Sequence, residues 1–204
     1  ESFGIESYSP YQDRDLEDAF VLDCGDLELC LGDTPFALKQ IELRTAEVMD
    51  AEKRPFMLGG EHLVTLGALR AVHARSPDVH IIHFDAHADL RDDYLGAKLS
   101  HACVLRRCHE LTGDGHIFQF GIRSGERAEF LFAQAHTSMQ RFSFEGLRKT
   151  LDLLSGKPVY FTLDLDVLDP SVFPGTGTPE PGGVIFDMLR EAATLVCQKA
   201  DIVG

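Results

Sequence analysis

Ile81-Ile82-His83-Phe84-Asp85-Ala86-His87-Ala88-Asp89 decides how this chain is read. A mostly apolar run ends abruptly in Asp-x-His-x-Asp, as a buried strand does when it leaves a sheet at a polar edge. Side chains of an extended segment alternate between faces, so Asp85, His87 and Asp89 share a side, or meet if a turn gathers them. Two carboxylates and an imidazole make a borderline-hard cation site, with no thiolate to favour structural zinc. The plainer reading, a strand that simply ends in a polar loop, stands beside it at this point.

Two further stretches repeat the pattern. Pro158-Val159-Tyr160-Phe161-Thr162-Leu163 runs into Asp164-Leu165-Asp166 and then Asp169-Pro170, and Pro55-Phe56-Met57-Leu58 runs into Gly59-Gly60-Glu61-His62. In open parallel sheets, sites form outside the carboxyl ends of strands, where three such endings can meet.

Strand and helix patterns alternate along the chain, which specifies a three-layer α/β/α domain with a mostly parallel sheet. Strands are expected at Ala19–Cys24, around Met57, and over Val79–Phe84, His116–Ile122, Ser138–Phe142 and Pro158–Leu163, with another starting at Asp201. The spacing of Phe36, Ile41 and Val48 predicts a helix from Thr34, the cap, through Pro35 to about Glu52. Further helices are expected at Leu63–Arg75 (Leu66, Leu69 and Val72 inward), Ala102–Leu111, Glu126–Gln134, Phe144–Leu154 after a Ser143 cap, and Val184–Lys199. Arg106 and Arg107 read as surface charges, Phe118, Phe120 and Phe161 as core, and Asp92 to Ser100 as a polar loop beside the site.

The 204 residues, 44% hydrophobic and 25% charged, suit one domain with a sizeable core. No run has the length of a transmembrane helix, and the first residues lack a basic-then-apolar signal pattern. A net charge of -14 argues against nucleic acid and anionic membranes as partners and suits a cationic substrate. Five cysteines without zinc-ribbon spacing fit free thiols in a cytoplasmic setting.

Taken together, Gly59-Gly60-Glu61-His62, Asp85-Ala86-His87-Ala88-Asp89, Ser100-His101, Asp164-Leu165-Asp166-Val167-Leu168-Asp169-Pro170 and Gly175-Thr176-Gly177-Thr178-Pro179 resemble the motifs of the ureohydrolases, the arginase and agmatinase family. They occur in that family's order and span roughly Pro55 to Gly183. The resemblance implies an arginase-like fold, a homo-oligomer, and a single domain over 1–204 whose ends both look cut, a family glutamate falling just past Gly204.

It also implies two manganese ions. His62 and Asp89 would each hold one ion terminally, with His87 and Asp166, and Asp85 and Asp164 would bridge. Charge counting agrees, because four clustered carboxylates balance two dications and would otherwise raise one another's pKa. The reaction implied is hydrolysis of a small cationic guanidinium compound to urea and an amine. His101 matches the family's proton shuttle, although it also reads as a loop histidine, and Thr178 matches a position near the guanidinium. Glu126 falls where arginases contact the amino-acid end of their substrate; with Ser124 and Gly125 it departs from their pattern. That departure, with Pro179-Glu180-Pro181, points to agmatine, which would yield putrescine. The alternatives are a guanidinobutyrase, formiminoglutamase or arginase, a mononuclear zinc deacetylase, or an inactive ureohydrolase-like subunit. The remaining histidines, among them His83, His109 and His136, match no motif and read as packed or surface residues.

Overall fold

In the computed structural model, which describes residues 7–204, Tyr8–Ser9 (β1) and Arg14–Asp15 (β2) form a small antiparallel hairpin. The chain continues through helices Thr34–Asp50 (α1) and Val64–Arg75 (α2), strand His80–Phe84 (β3) and helix Val104–Thr112 (α3). Strand Ile117–Ile122 (β4), helix Arg127–His136 (α4), strand Ser138–Arg141 (β5) and helix Leu147–Leu153 (α5) follow. Strand Pro158–Leu163 (β6), helix Phe186–Lys199 (α6) and strand Asp201–Ile202 (β7) complete it. Strands β3 to β7 make one sheet in the order β5-β4-β3-β6-β7, parallel at every pairing. Among the described residues no helix is long and apolar enough to cross a membrane.

A parallel sheet must be covered on both faces, and the alternation along the strands shows how this is done. Ile81, Ile117, Ile122 and Tyr160 pack with Leu38, Leu66, Leu69, Val72 and Leu105 from α1, α2 and α3. Ile82, Phe84, Phe118, Phe120 and Val159 point the other way, against Leu147 and Leu151 of α5 and Leu189 and Val196 of α6. Each fully buried Leu, Ile or Phe contributes about 1.5–3 kcal/mol. The three-layer α/β/α expectation is met, and β6 has the bounds read from the sequence.

Several expectations require correction. Ala19–Cys24 and the Met57 region form no strand; Phe20 and Leu58 are exposed, and among the described residues no neighbouring strand pairs with either. A strand is defined by its partner, and apolar, β-prone residues alone do not supply one. The α1 cap is Asp33, whose Oδ1 accepts the Phe36 N–H at 3.0 Å, and the buried stripe is Leu38, Ile41, Thr45 and Met49 while Phe36 faces outward. Helix α3 begins at Val104, after a 3₁₀ turn over His101–Cys103. Helix α5 begins at Leu147, because Gly146 adopts a left-handed conformation at φ 81° that stops the helix from reaching back to Ser143. Arg107 is 8% exposed, its guanidinium held by Asp92 at 2.7 Å and Glu110 at 3.0 Å. Arg106 lies over the Phe132 ring, 3.8 Å from its centroid. Phe161 is only partly buried.

Candidate metal centre

Beyond Phe84 the ladder does not stop. Asp85 N–H donates to the Phe120 carbonyl at 3.2 Å, and Ala88 N–H donates to the Ser124 carbonyl at 3.0 Å. On the other side, Asp164 N–H donates to the Phe84 carbonyl at 2.8 Å. The ends of β3, β4 and β6 therefore rise together, and the acidic residues meet above the sheet. At Gly121 the β4–β5 register slips, and a Cβ there would lie 2.5 Å from Val167 Cγ2 and 3.1 Å from the Asp85 carbonyl. With φ at +87°, glycine is what lets β4 pass beneath the site.

Asp85 is at the centre. Its Oδ2 lies 3.0 Å from His62 Nδ1, and its Oδ1 lies 3.4 Å from His87 Nδ1. Around His62 Nδ1 are also Asp89 Oδ2 at 3.2 Å and Asp164 Oδ2 at 3.6 Å. Around His87 Nδ1 is Asp166 Oδ2 at 2.9 Å. Two clusters thus share one carboxylate, and the six residues singled out in the sequence are gathered there. Asp164 closely approaches the His62 cluster. Its Oδ1 accepts the Asp166 N–H at 2.9 Å.

Position is enforced by backbone. Asp89 has φ 54°, a left-handed conformation costing about 1–2 kcal/mol for a non-glycine residue. Its carbonyl accepts the N–H groups of Leu105 and Arg106, so the turn that aims its carboxylate inward also caps α3. Buried Glu129, missed in the sequence, accepts the N–H groups of Leu90 at 2.9 Å and Glu126 at 2.7 Å. Arg123, also missed, donates to the carbonyls of Asp166 at 2.7 Å, Glu180 at 2.9 Å and Leu168 at 3.2 Å. It binds the loop after β6 to the loop carrying Thr178.

Electrostatics set the cluster's character. Burial pushes Asp89 up to about 6, with the Asp85 charge adding to it. Burial and the neighbouring Asp85 and Asp166 charges raise Asp164; burial also raises Asp166, against the pull of His87. Burial works against charge on both histidines, yet His62 is raised well above the ordinary imidazole range by Asp85 and Asp89, and His87 is raised to about 10 by Asp166 and Asp85. Asp85 is the exception: burial works to raise it, but His83, His62 and His87 hold it well below the usual carboxylate range, while the three carboxylates held up around it describe a site short of positive charge. His62 Nδ1 is buried and makes no hydrogen bond of acceptable geometry, despite three carboxylate oxygens within 3.6 Å. Oxygen donors around such a nitrogen suit ligation of a cation, and this donor set fits a pair of divalent ions.

The cluster lies in the wall of an open cleft of about 1340 Å³. Glu61, His101, Ser124, Thr178 and Glu180 line it as well. His101 is exposed, with Nδ1 3.6 Å from Glu61 Oε2 and its ring edge-on to Tyr94. Glu180 accepts the Ser124 hydroxyl at 2.8 Å and lies 3.8 Å from His87 Nε2. Glu126 is engaged elsewhere, at the N-terminus of α4 with its carboxylate 3.2 Å from Arg91, and it is not among the residues lining the cleft. Away from the cleft, Asp114 Oδ1 accepts from His109 and His136, each at 2.7 Å.

Residues 1–204 match the profile of the Arginase family. The chain is similar to the agmatinase of Bacillus cereus, 42% identical over 207 residues that cover all of this chain and 71% of that protein. It is 36% identical to the N(1)-aminopropylagmatine ureohydrolase of Thermococcus kodakarensis, over all of this chain and 70% of that protein. Among solved structures, a candidate agmatinase from Clostridium difficile superposes with a TM-score of 0.94 at 50% identity, covering 98% of this chain and 74% of that one.

Proposed function

The chain belongs to the arginase family, and from that premise we propose that it is a dimanganese enzyme hydrolysing agmatine to urea and putrescine. The observation that carries the chemistry is the Asp85 carboxylate shared by two histidine-containing clusters in the wall of the cleft. His62, Asp89, His87 and Asp166 would each hold one ion, with Asp85 and Asp164 shared between the two; Asp164 Oδ2 lies 3.6 Å from His62 Nδ1. Four carboxylates and two imidazoles, with no thiolate, suit manganese. When bound, such ions lower the pKa of a water toward neutrality and so supply the nucleophile.

The chain's own residues do the rest. Glu61 and Glu180 give the cleft wall negative charge beyond the metal ligands, which draws in a guanidinium and turns away carboxylate-bearing compounds. Water adds to the guanidinium carbon, the bond to the alkyl nitrogen breaks, and that nitrogen must leave with a proton. His101, on the cleft wall, would deliver it as a general acid. Thr178 offers a hydroxyl to the substrate from the same cleft. A cytoplasmic setting belongs to this reading, supported by five free cysteines.

Likeness to the Thermococcus enzyme favours a second substrate, agmatine lengthened by an aminopropyl group. The test measures urea release by the manganese-loaded protein from agmatine, N1-aminopropylagmatine, arginine and guanidinobutyrate, alongside formamide release from formiminoglutamate. Agmatine is expected to give the highest kcat/KM. A carboxylate-bearing substrate in first place would overturn the assignment, and saturation at one metal per chain would overturn the paired site.

A further inference from the structure

On the face of the sheet that packs against α1 to α3, two rows of residues run across three strands. Ile81 is in register with Ile117 on β4 and Tyr160 on β6, and that row is largely apolar. One step nearer the carboxylates, His83 is in register with Gln119 and Thr162, and that row is polar and buried throughout. Three polar side chains in such a place are costly unless hydrogen-bonded. Thr162 Oγ1 lies 3.0 Å from His62 Nε2. His83 Nε2 lies 2.8 Å from Asp85 Oδ2, and its Nδ1 lies 3.1 Å from Gln119 Nε2.

The donors run in one direction. Gln119 Nε2 is 2.8 Å from the Ala88 carbonyl, which can only accept, while Gln119 Oε1 is 3.2 Å from the Thr137 hydroxyl. The amide nitrogen is therefore fixed on the His83 side. It meets Nδ1 as a donor, so Nδ1 carries a lone pair and the ring proton sits on Nε2, aimed at Asp85. A flipped amide would press oxygen against the Ala88 carbonyl, and a doubly protonated ring would press N–H against the amide N–H. Asp85 Oδ1, for its part, accepts the His87 backbone N–H at 2.6 Å. Both oxygens are held from the protein side, and each keeps a lone pair for its own half of the cluster.

Resting on the reading of Asp85 as a bridging ligand, we propose that His83 is a positioning residue of the metal centre. Gln119 fixes its tautomer, with Nδ1 bare and the proton on Nε2, and that N–H sets the orientation of the Asp85 carboxylate that would be shared by the two ions. The arrangement follows the rule that partners outside the ligand shell orient the ligands within it.

Nitrogen-15 NMR of histidine-labelled protein, stripped of metal and then loaded with diamagnetic zinc, reads the tautomer directly. His83 is expected to keep a protonated Nε2 and a bare Nδ1 in both states. A doubly protonated ring, the opposite tautomer, or loss of the Nε2 proton on zinc addition (which would make His83 a ligand) overturns the proposal. Manganese titration supplies the second measurement. His83→Phe should weaken binding about tenfold to a hundredfold, and His83→Gln, whose amide N–H reaches toward the same oxygen, should recover most of it. Unchanged affinity in His83→Phe overturns the positioning role alone, whereas a wild-type protein that binds no metal overturns the metal-centre reading and this role with it.

Discussion

Arg123→Met removes every donor of one guanidinium while keeping most of its aliphatic volume. The Val167 carbonyl, 3.2 Å from Nη1, still accepts the Val184 N–H at 3.2 Å and loses little. The carbonyls of Asp166, Leu168 and Glu180 lose a charged donor, and that of Gly121, at 3.3 Å, loses a weaker one. At about 1 kcal/mol for each of the first three, the low end for a half-buried group that water can partly reach, the cost is about 3 kcal/mol. For a chain of this size that is a fall of about 6–12 °C in Tm. Asp166 Oδ2 lies 2.9 Å from His87 Nδ1, so a loosened loop should also weaken manganese binding in that half of the cluster. Arg123→Lys keeps the charge but not the planar fork and should recover about half of the loss. Thermal unfolding without metal, followed by manganese titration, measures both effects. A Tm shift under about 2 °C with an unchanged titration would refute the reasoning, since it would mean that these carbonyls do not depend on the arginine.

Gly67→Ala should destabilise by about 1–2 kcal/mol despite the better helix propensity of alanine, because overpacking outweighs it; its Cβ would sit 2.9 Å from Ile41 Cβ and from the Leu38 carbonyl oxygen, and urea unfolding gives the sign. His101→Ala should retain both metals by elemental analysis while losing about 10²–10⁴ in kcat, partly restored by added imidazole; loss of metal would reassign it as a ligand. Asp169 is held down at about 2 by hydrogen bonds from the Ser171 hydroxyl and from the N–H groups of Ser171, Gly182 and Gly183. Its folded pKa is depressed, so its contribution is present above about pH 4 and is lost as pH falls toward 2. The stability gap between wild type and Asp169→Asn should be flat at neutral pH and close across that acid window, as read from urea midpoints against pH.

What was legible in the sequence was local. The abrupt change from β-prone residues to carboxylates at Phe84–Asp85 and Leu163–Asp164 needs no distant information, and the structure places both changes at strand ends. The stripe of Leu66, Leu69 and Val72 made α2 equally plain, and all three are buried. The Ala19–Cys24 and Met57 strands failed because pairing is not local, and no strand among the described residues lies beside either segment.

The same division runs through the candidate site. Arg123 acts on backbone carbonyls 43 to 57 residues away, and a carbonyl leaves no trace in the amino-acid code. His83 is the instructive case. The period-two rule that grouped Asp85 with His87 and Asp89 also put His83 on that side, so its contact with Asp85 was within reach of the sequence. Its chemical state was not. That depends on Gln119, which is 36 positions away in the chain and opposite it in the register, and on the Ala88 carbonyl that orients the Gln119 amide. Spacing can say which side chains meet, but which of them carries the proton follows from the whole hydrogen-bond chain.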